Sequence, residues 1–126
     1  MIKKIAFISH HSSDIEKDKQ FWGELLGLEK TAEYSHEGQD QSWVEFDTPD
    51  GKSIAIEDFS PAGSPPTLAL ETDDIEAEVA RLKEAGVSFE NDGQIMDNKV
   101  CKMAFVRDPS GNMVILHQIA PERAKD

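Results

Sequence analysis

Apolar and polar positions along this chain write one pattern twice. A β-branched and aromatic run from Lys4 to Ser9 predicts a strand, and Ser12, Ser13 and Asp14 after it offer the short polar side chains that cap a helix N-terminus. Phe21, Trp22, Leu25 and Leu26 come next at helical spacing, which predicts a helix with one apolar face on a sheet. Leu26-Gly27-Leu28 ends it, with glycine available for the left-handed C-terminal position. A strand from Thr31 to Tyr34, a polar loop from Ser35 to Gln41, and a hairpin of Trp43 to Phe46 and Ser53 to Glu57 across Thr48-Pro49-Asp50-Gly51 complete the first copy. The second opens with a strand from Thr67 to Glu71 and a helix capped by Asp73 or Asp74, whose apolar face is Ile75, Val79 and Leu82. Gly86 closes that helix; Val87 to Phe89, Cys101 to Val106 and Met113 to Ile119 read as strands, and Pro121 begins a charged tail with no evident fold.

The two copies are related by a fixed offset. Asp14-Ile15-Glu16 returns as Asp74-Ile75-Glu76, and Pro49-Asp50-Gly51 as Pro109-Ser110-Gly111, both about sixty residues on, while Gly86 is one residue out of step. Ser60 to Pro66, rich in proline and serine, is the linker-like stretch and lies where the duplication needs its joint. The reading is α+β: a β-α-β-β-β module over about 2–59, a linker over 60–66, and a second module over about 67–120. With 126 residues in all, neither copy is large enough to bury a core alone, so the copies are halves of a single domain spanning 1–126 and are expected to close around a shared site.

A formal charge of -12 argues against nucleic acid or an anionic membrane as partner, since both would be repelled. The apolar start from Ile5 to Ile8 is too short for a signal-peptide core, and no later run approaches membrane-spanning length. The single cysteine, Cys101, excludes an internal disulfide and suits a reducing compartment, so the expectation is a cytoplasmic protein. A Walker loop, a dinucleotide glycine fingerprint, a His-Glu-x-x-His zinc helix, a Cys-x-x-Cys site and a serine nucleophile elbow are all missing.

In this order, Asp14, Phe21-Trp22, Leu26-Gly27-Leu28, then Leu82-Lys83-Glu84-Ala85-Gly86-Val87 and Arg107-Asp108-Pro109-Ser110-Gly111-Asn112, the chain resembles the vicinal oxygen chelate superfamily of glyoxalase I, bleomycin-resistance proteins and extradiol dioxygenases. The resemblance covers residues 2–119. It implies paired modules forming a curved mixed sheet around a concave pocket, helices outside, and commonly a homodimer. Metal-dependent members of the superfamily place one ligand on the first strand and one on the last strand of each module. Carried onto this sequence, those positions are Phe7, Ala55, Thr67 and Ile115, none of which is a good ligand for a divalent cation. The resemblance therefore implies a scaffold without its metal site, and no cofactor is predicted.

Strand alternation extends that face: if Phe7, Ala55, Thr67 and Ile115 point into the pocket, so do Ser9, His11, Glu57, Ala69, Glu71 and His117. Ile8, Ile54, Ile56, Leu68, Leu70, Val114 and Leu116 then face the helices, and His10 points away from His11. Glu57 and His117, mates under the offset, form the best polar cluster: either a general acid-base pair or a solvated pair at the pocket mouth. His11 and Glu45 are candidate companions, with a turn role open for His11. Trp43 can stack on a flat ligand or pack in the core. Cys101 reads as a small buried thiol or a nucleophile, and Met103 and Phe105 as pocket wall or core.

Three functions are compatible with these residues. The first is metal-independent binding of a small organic molecule in a pocket rimmed by His11, Glu45, Glu57 and His117. The second is a lyase, isomerase or dioxygenase whose divalent metal is held by an atypical set drawn from those four residues. The third is a non-catalytic dimeric interaction module. Whether the protein is an enzyme, what its ligand is, whether two chains share the pocket, and the register of the strand carrying Glu57 are questions for the structure and the bench.

Overall fold

The computed structural model describes residues 1–35, 41–98 and 100–123; most of the polar loop read from Ser35 to Gln41 lies outside them. The chain forms two compact units, one spanning Phe7–Thr67 and the other joining Met1–Ala6 to the residues from Leu68 onward.

In the Phe7–Thr67 unit, strand β1 (Ile2–His11), which begins in the other unit, runs parallel to β4 (Ser53–Glu57). Strand β3 (Ser42–Asp47) pairs antiparallel with β4 on one side and with β2 (Glu29–Ser35) on the other. Alternation sends Val44, Phe46 and Ile56 to one face, where each is at most 1% exposed and Ile15, Trp22, Leu28 and Ile54 pack on them. Asp14 caps the helix above that face, its carboxylate accepting from the Lys17 N–H at 3.2 Å.

That helix departs from the sequence expectation. Only Ile15–Lys19 is α-helical (α1), and Gln20–Leu25 continues as a π-helix in which the Leu26 N–H reaches the Phe21 carbonyl, five residues back, at 2.9 Å. The wider turn shifts the phase of the helix, so Trp22 packs on the sheet while Phe21, Leu25 and Leu26, expected beside it, are 45%, 77% and 51% exposed. The cause is an extra residue: thirteen positions separate Asp14 from Gly27 and twelve separate Asp74 from Gly86, and a π-turn is how a helix absorbs one. In the second copy the Ala85 N–H takes the Arg81 carbonyl at ordinary α spacing, 3.1 Å.

The second unit repeats the plan. Strand β5 (Thr67–Thr72) runs parallel to β9 (Met113–Ile119), which pairs antiparallel with β8 (Cys101–Arg107); short strands β6 (Ser88–Phe89) and β7 (Met96–Asp97) pair with β8. Helix α2 (Ile75–Glu84), capped by Asp74 through the Ala77 N–H at 3.1 Å, lays Ile75 and Val79 on Ala104, Val106 and Leu116, with Leu82 beside them. Its free Ile75 N–H is taken by the Gln118 side chain at 2.9 Å, which ties the helix to the strand carrying His117. The two hairpin turns share the same bonding. Gly51 bonds Thr48 and Gly111 bonds Asp108, both at 2.9 Å with φ of 83° and 89°, a conformation that needs glycine. The short 3₁₀ turn Pro121–Arg123 opens the tail expected to lack structure. Among the described residues no helix is long and apolar enough to cross a membrane.

Candidate functional site

Each unit ends its parallel strand pair with a histidine beside a glutamate. In one, His11 on β1 is level with Glu57 on β4; in the other, Glu71 on β5 is level with His117 on β9. Both pairs stand on the face turned away from the helices, where alternation from the core positions requires them to be. Sixty residues carry His11 onto Glu71 and Glu57 onto His117, so the two copies hold the same pair in the same place with the residue types exchanged.

The two pairs differ in how they are closed. Glu71 gives one carboxylate oxygen to His117 Nδ1 at 2.5 Å and the other to the Ile119 N–H at 2.8 Å, so it is fixed by both oxygens. Cys101 is the diagonal neighbour of His117 across β8 and β9. Burial alone would lower the His117 pKa, but the hydrogen bonds and charges of Cys101 and Glu71 outweigh it and raise the pKa to about 9. His117 is 9% exposed and Cys101 8%. Cys101 is itself positioned by the backbone: its N–H and that of Val100 both donate to Asn98 Oδ1, at 2.8 and 2.7 Å, at the turn that starts β8.

Glu57, 6% exposed, closes on its own loop. Oε2 accepts the Phe59 and Ser60 N–H groups at 2.9 Å each, and Oε1 accepts the Ser60 hydroxyl at 2.5 Å. His11 Nδ1 shares a hydrogen bond with that same hydroxyl at 3.0 Å, so serine bridges the pair that is direct in the other unit. The loop bend places Phe59 against Trp43, rings stacked at 6.2 Å and 21°, while Phe7 meets Trp43 edge-on at 5.2 Å. Glu45 stands on the same face, level with Ala55.

The structure thus gathers His11, Trp43, Glu45 and Glu57 on one face of one unit, and Cys101, Met103, Phe105 and His117 on one face of the other. Met103 is level with His117 and Phe105 with Ile115. The carboxylate that meets His117 is Glu71, read from sequence only as facing the same way. The signal for it is in the duplication: the offset maps His11 and Glu57 onto Glu71 and His117. His10 turns to the helix side, as alternation requires, and its ring packs on Trp22 at 5.4 Å.

The family model described as Glyoxalase/Bleomycin resistance protein/Dioxygenase superfamily matches residues 4–116. The chain belongs to that superfamily. Solved structures agree on the fold. A methylmalonyl-CoA epimerase from Mycobacterium tuberculosis is 18% identical, with a TM-score of 0.79 over 96% of this chain and 91% of its own. A hypothetical protein from Bacillus halodurans C-125 is 18% identical, with a TM-score of 0.77 over 98% of both chains. A Streptomyces coelicolor methylmalonyl-CoA epimerase variant in complex with 2-nitronate-propionyl-CoA is 18% identical, with a TM-score of 0.77 over 96% and 97%. At such identities the likeness shows the fold alone, and it is the α+β fold of two βαβββ modules expected from the sequence. No curated protein gives a significant match.

Metal-dependent members of this superfamily make the positions of Phe7, Ala55, Thr67 and Ile115 the ones to test. Phe7 is 4% exposed and occupied with Trp43, Ala55 is wholly buried, and Ile115 is 7% exposed beside Phe105; none has a donor atom. Thr67 has only a hydroxyl, which turns to the Pro65 carbonyl at 3.4 Å. These residues do not fit a divalent cation. Among the described residues, no three His, Cys, Asp or Glu side chains are grouped so as to hold one.

Proposed function

We propose that this superfamily member binds a small organic molecule without a metal ion. The ligand stacks on the Trp43 and Phe59 rings and takes its polar contacts from His11 and Glu45. The observation that carries this reading is the substitution of chemistry on the sheet face. Phe7 and Ala55 occupy positions that the superfamily resemblance assigns to metal ligands, and beside them an aromatic wall is held by the bonding of Glu57 to the Phe59–Ser60 bend. A half-exposed aromatic stack with a few fixed polar groups is the composition of an organic-ligand site. Phe105 and Met103 supply comparable apolar surface in the other unit, and His117 with Glu71 supplies a group able to exchange a proton. The epimerase of Streptomyces coelicolor was captured with an acyl-CoA analogue, an organic ligand on the same fold.

A metal held by an atypical set of His11, Glu45, Glu57 and His117 has less support. Both Glu57 oxygens already accept hydrogen bonds, as does the Glu71 carboxylate that engages His117 Nδ1. The superfamily habit of pairing makes a homodimer the expected assembly, and the single thiol fits a cytoplasmic setting. The experiment is a fluorescence screen in a Trp22→Phe background, where Trp43 is the remaining indole. An organic ligand is expected to quench or shift Trp43 emission equally with and without a chelator. A response that vanishes on chelation, or ligand binding that leaves Trp43 emission untouched, contradicts the reading.

A further inference from the structure

The second unit holds three groups that the binding reading does not require. Cys101 on β8 and His117 on β9 lie on the same face of an antiparallel pair in which Cys101 is level with Ile119 and Met103 with His117, so thiol and ring are diagonal neighbours. The thiol is the diagonal neighbour of the ring, the ring Nδ1 is hydrogen-bonded to Glu71 at 2.5 Å, and the second Glu71 oxygen accepts from the Ile119 backbone N–H at 2.8 Å. A nucleophile, an imidazole and an orienting carboxylate in sequence is the arrangement that activates a weak nucleophile, whatever fold it occurs on. Nothing in the packing of Ala104, Val106 and Leu116 against α2 draws on these groups, since they stand on the opposite face. A buried structural thiol would sit as well beside an apolar neighbour as beside a carboxylate-held imidazole.

We propose that Cys101, His117 and Glu71 form a nucleophilic relay by which Cys101 adds covalently to small α,β-unsaturated carbonyl compounds. His117, already protonated at neutral pH, sets its positive charge beside the sulfur as the thiol gives its proton to water. The sulfur forms a carbon–sulfur bond at the β-carbon, the carbon–carbon π electrons move to the carbonyl as an enolate, and His117 gives its own proton to the α-carbon and regains one from water. Atoms and electrons balance with no leaving group and no oxidant. Glu71 is the positioning residue: it touches neither reactant and acts through the ring. Met103 and Phe105 on the same face give the hydrocarbon part of such a compound an apolar surface. Because Cys101 is only 8% exposed, small electrophiles gain access and bulky ones do not.

The test uses methyl vinyl ketone and intact-mass detection at neutral pH, where one cysteine means one thiol adduct. The folded protein is expected to react about tenfold or more faster than the same chain in concentrated guanidinium chloride, and His117→Gln to lose at least that factor. A maleimide carrying a polyethylene glycol chain is expected to show the reverse order, slower on the folded protein. Glu71→Gln, which keeps an acceptor but removes the charge, is expected to slow addition and move the His117 ring ¹⁵N signals toward neutral imidazole. Folded protein reacting more slowly with methyl vinyl ketone than unfolded protein would overturn the relay, and this comparison needs no variant. So would a rate unchanged in His117→Gln. These outcomes concern one unit and one thiol, so they fail or succeed apart from the ligand screen on Trp43.

Discussion

Glu71→Ala is expected to cost about 3–5 kcal/mol of stability near pH 6 and much less above pH 9, the range for removing one partner of a buried ion pair. The substitution strips His117 of the carboxylate on Nδ1 and leaves the Ile119 N–H without its acceptor. The pH dependence identifies the cause. His117 is raised from 6.5 to about 9 in the folded protein, so the folded state holds its proton more tightly than the unfolded chain does. Stability from that proton is fully present below pH 6.5, declines as pH rises, and is gone above pH 9. It amounts to about 3–4 kcal/mol at roughly 1.4 kcal/mol per pKa unit. Cys101 contributes to raising the ring as well, so Glu71→Ala flattens the pH profile in part and the double variant with Cys101→Ser flattens it further. Urea unfolding at about pH 6 and pH 9.5 measures this directly. An equal cost at both would show that Glu71 acts by packing or by its bond to Ile119 and not through the charged ring.

Glu57→Ala is the second large effect, expected at about 1.5–3 kcal/mol, the usual cost of removing a charged hydrogen-bond acceptor from a partly buried site. Here the readout is local. The Phe59 and Ser60 N–H groups and the Ser60 hydroxyl all lose their acceptor, and the bend they form is what sets Phe59 on Trp43. In the Trp22→Phe background, Trp43 emission is expected to move to longer wavelength as the stack opens, and any ligand response to weaken with it. If Glu57→Ala destabilises the protein while Trp43 emission and ligand response stay unchanged, the carboxylate supports the strand end and has no part in shaping the aromatic wall.

Much of this fold is legible in the residues because the chain is duplicated. The offset linking Pro49-Asp50-Gly51 with Pro109-Ser110-Gly111 predicts two equivalent hairpins, and their glycine bonds agree in partner position and length. Alternation from Ile54 and Ile56, and from Val114 and Leu116, separates helix-facing from open positions in the observed register. Periodicity fails at Phe21, Leu25 and Leu26. It assumes 3.6 residues per turn throughout, and one inserted residue changes the phase of the rest of the helix. The trace of that insertion is the one-residue slip between Gly27 and Gly86. The neighbours of Cys101 are not legible, because contact with His117 depends on the pairing of β8 with β9. Spacing places two residues on strands but does not set which rungs meet.

The central claim is that the superfamily scaffold works in this chain without a metal ion. The most direct measurement is elemental analysis of untagged, natively purified protein, combined with thermal melts with nickel, zinc, manganese, iron and calcium added back. Phe7, Ala55, Thr67 and Ile115 predict a protein free of stoichiometric metal whose melting temperature ignores all five. Near one equivalent of a transition metal per chain, raising the melt when restored, would contradict the account and return His11, Glu45, Glu57 and His117 to the position of ligands.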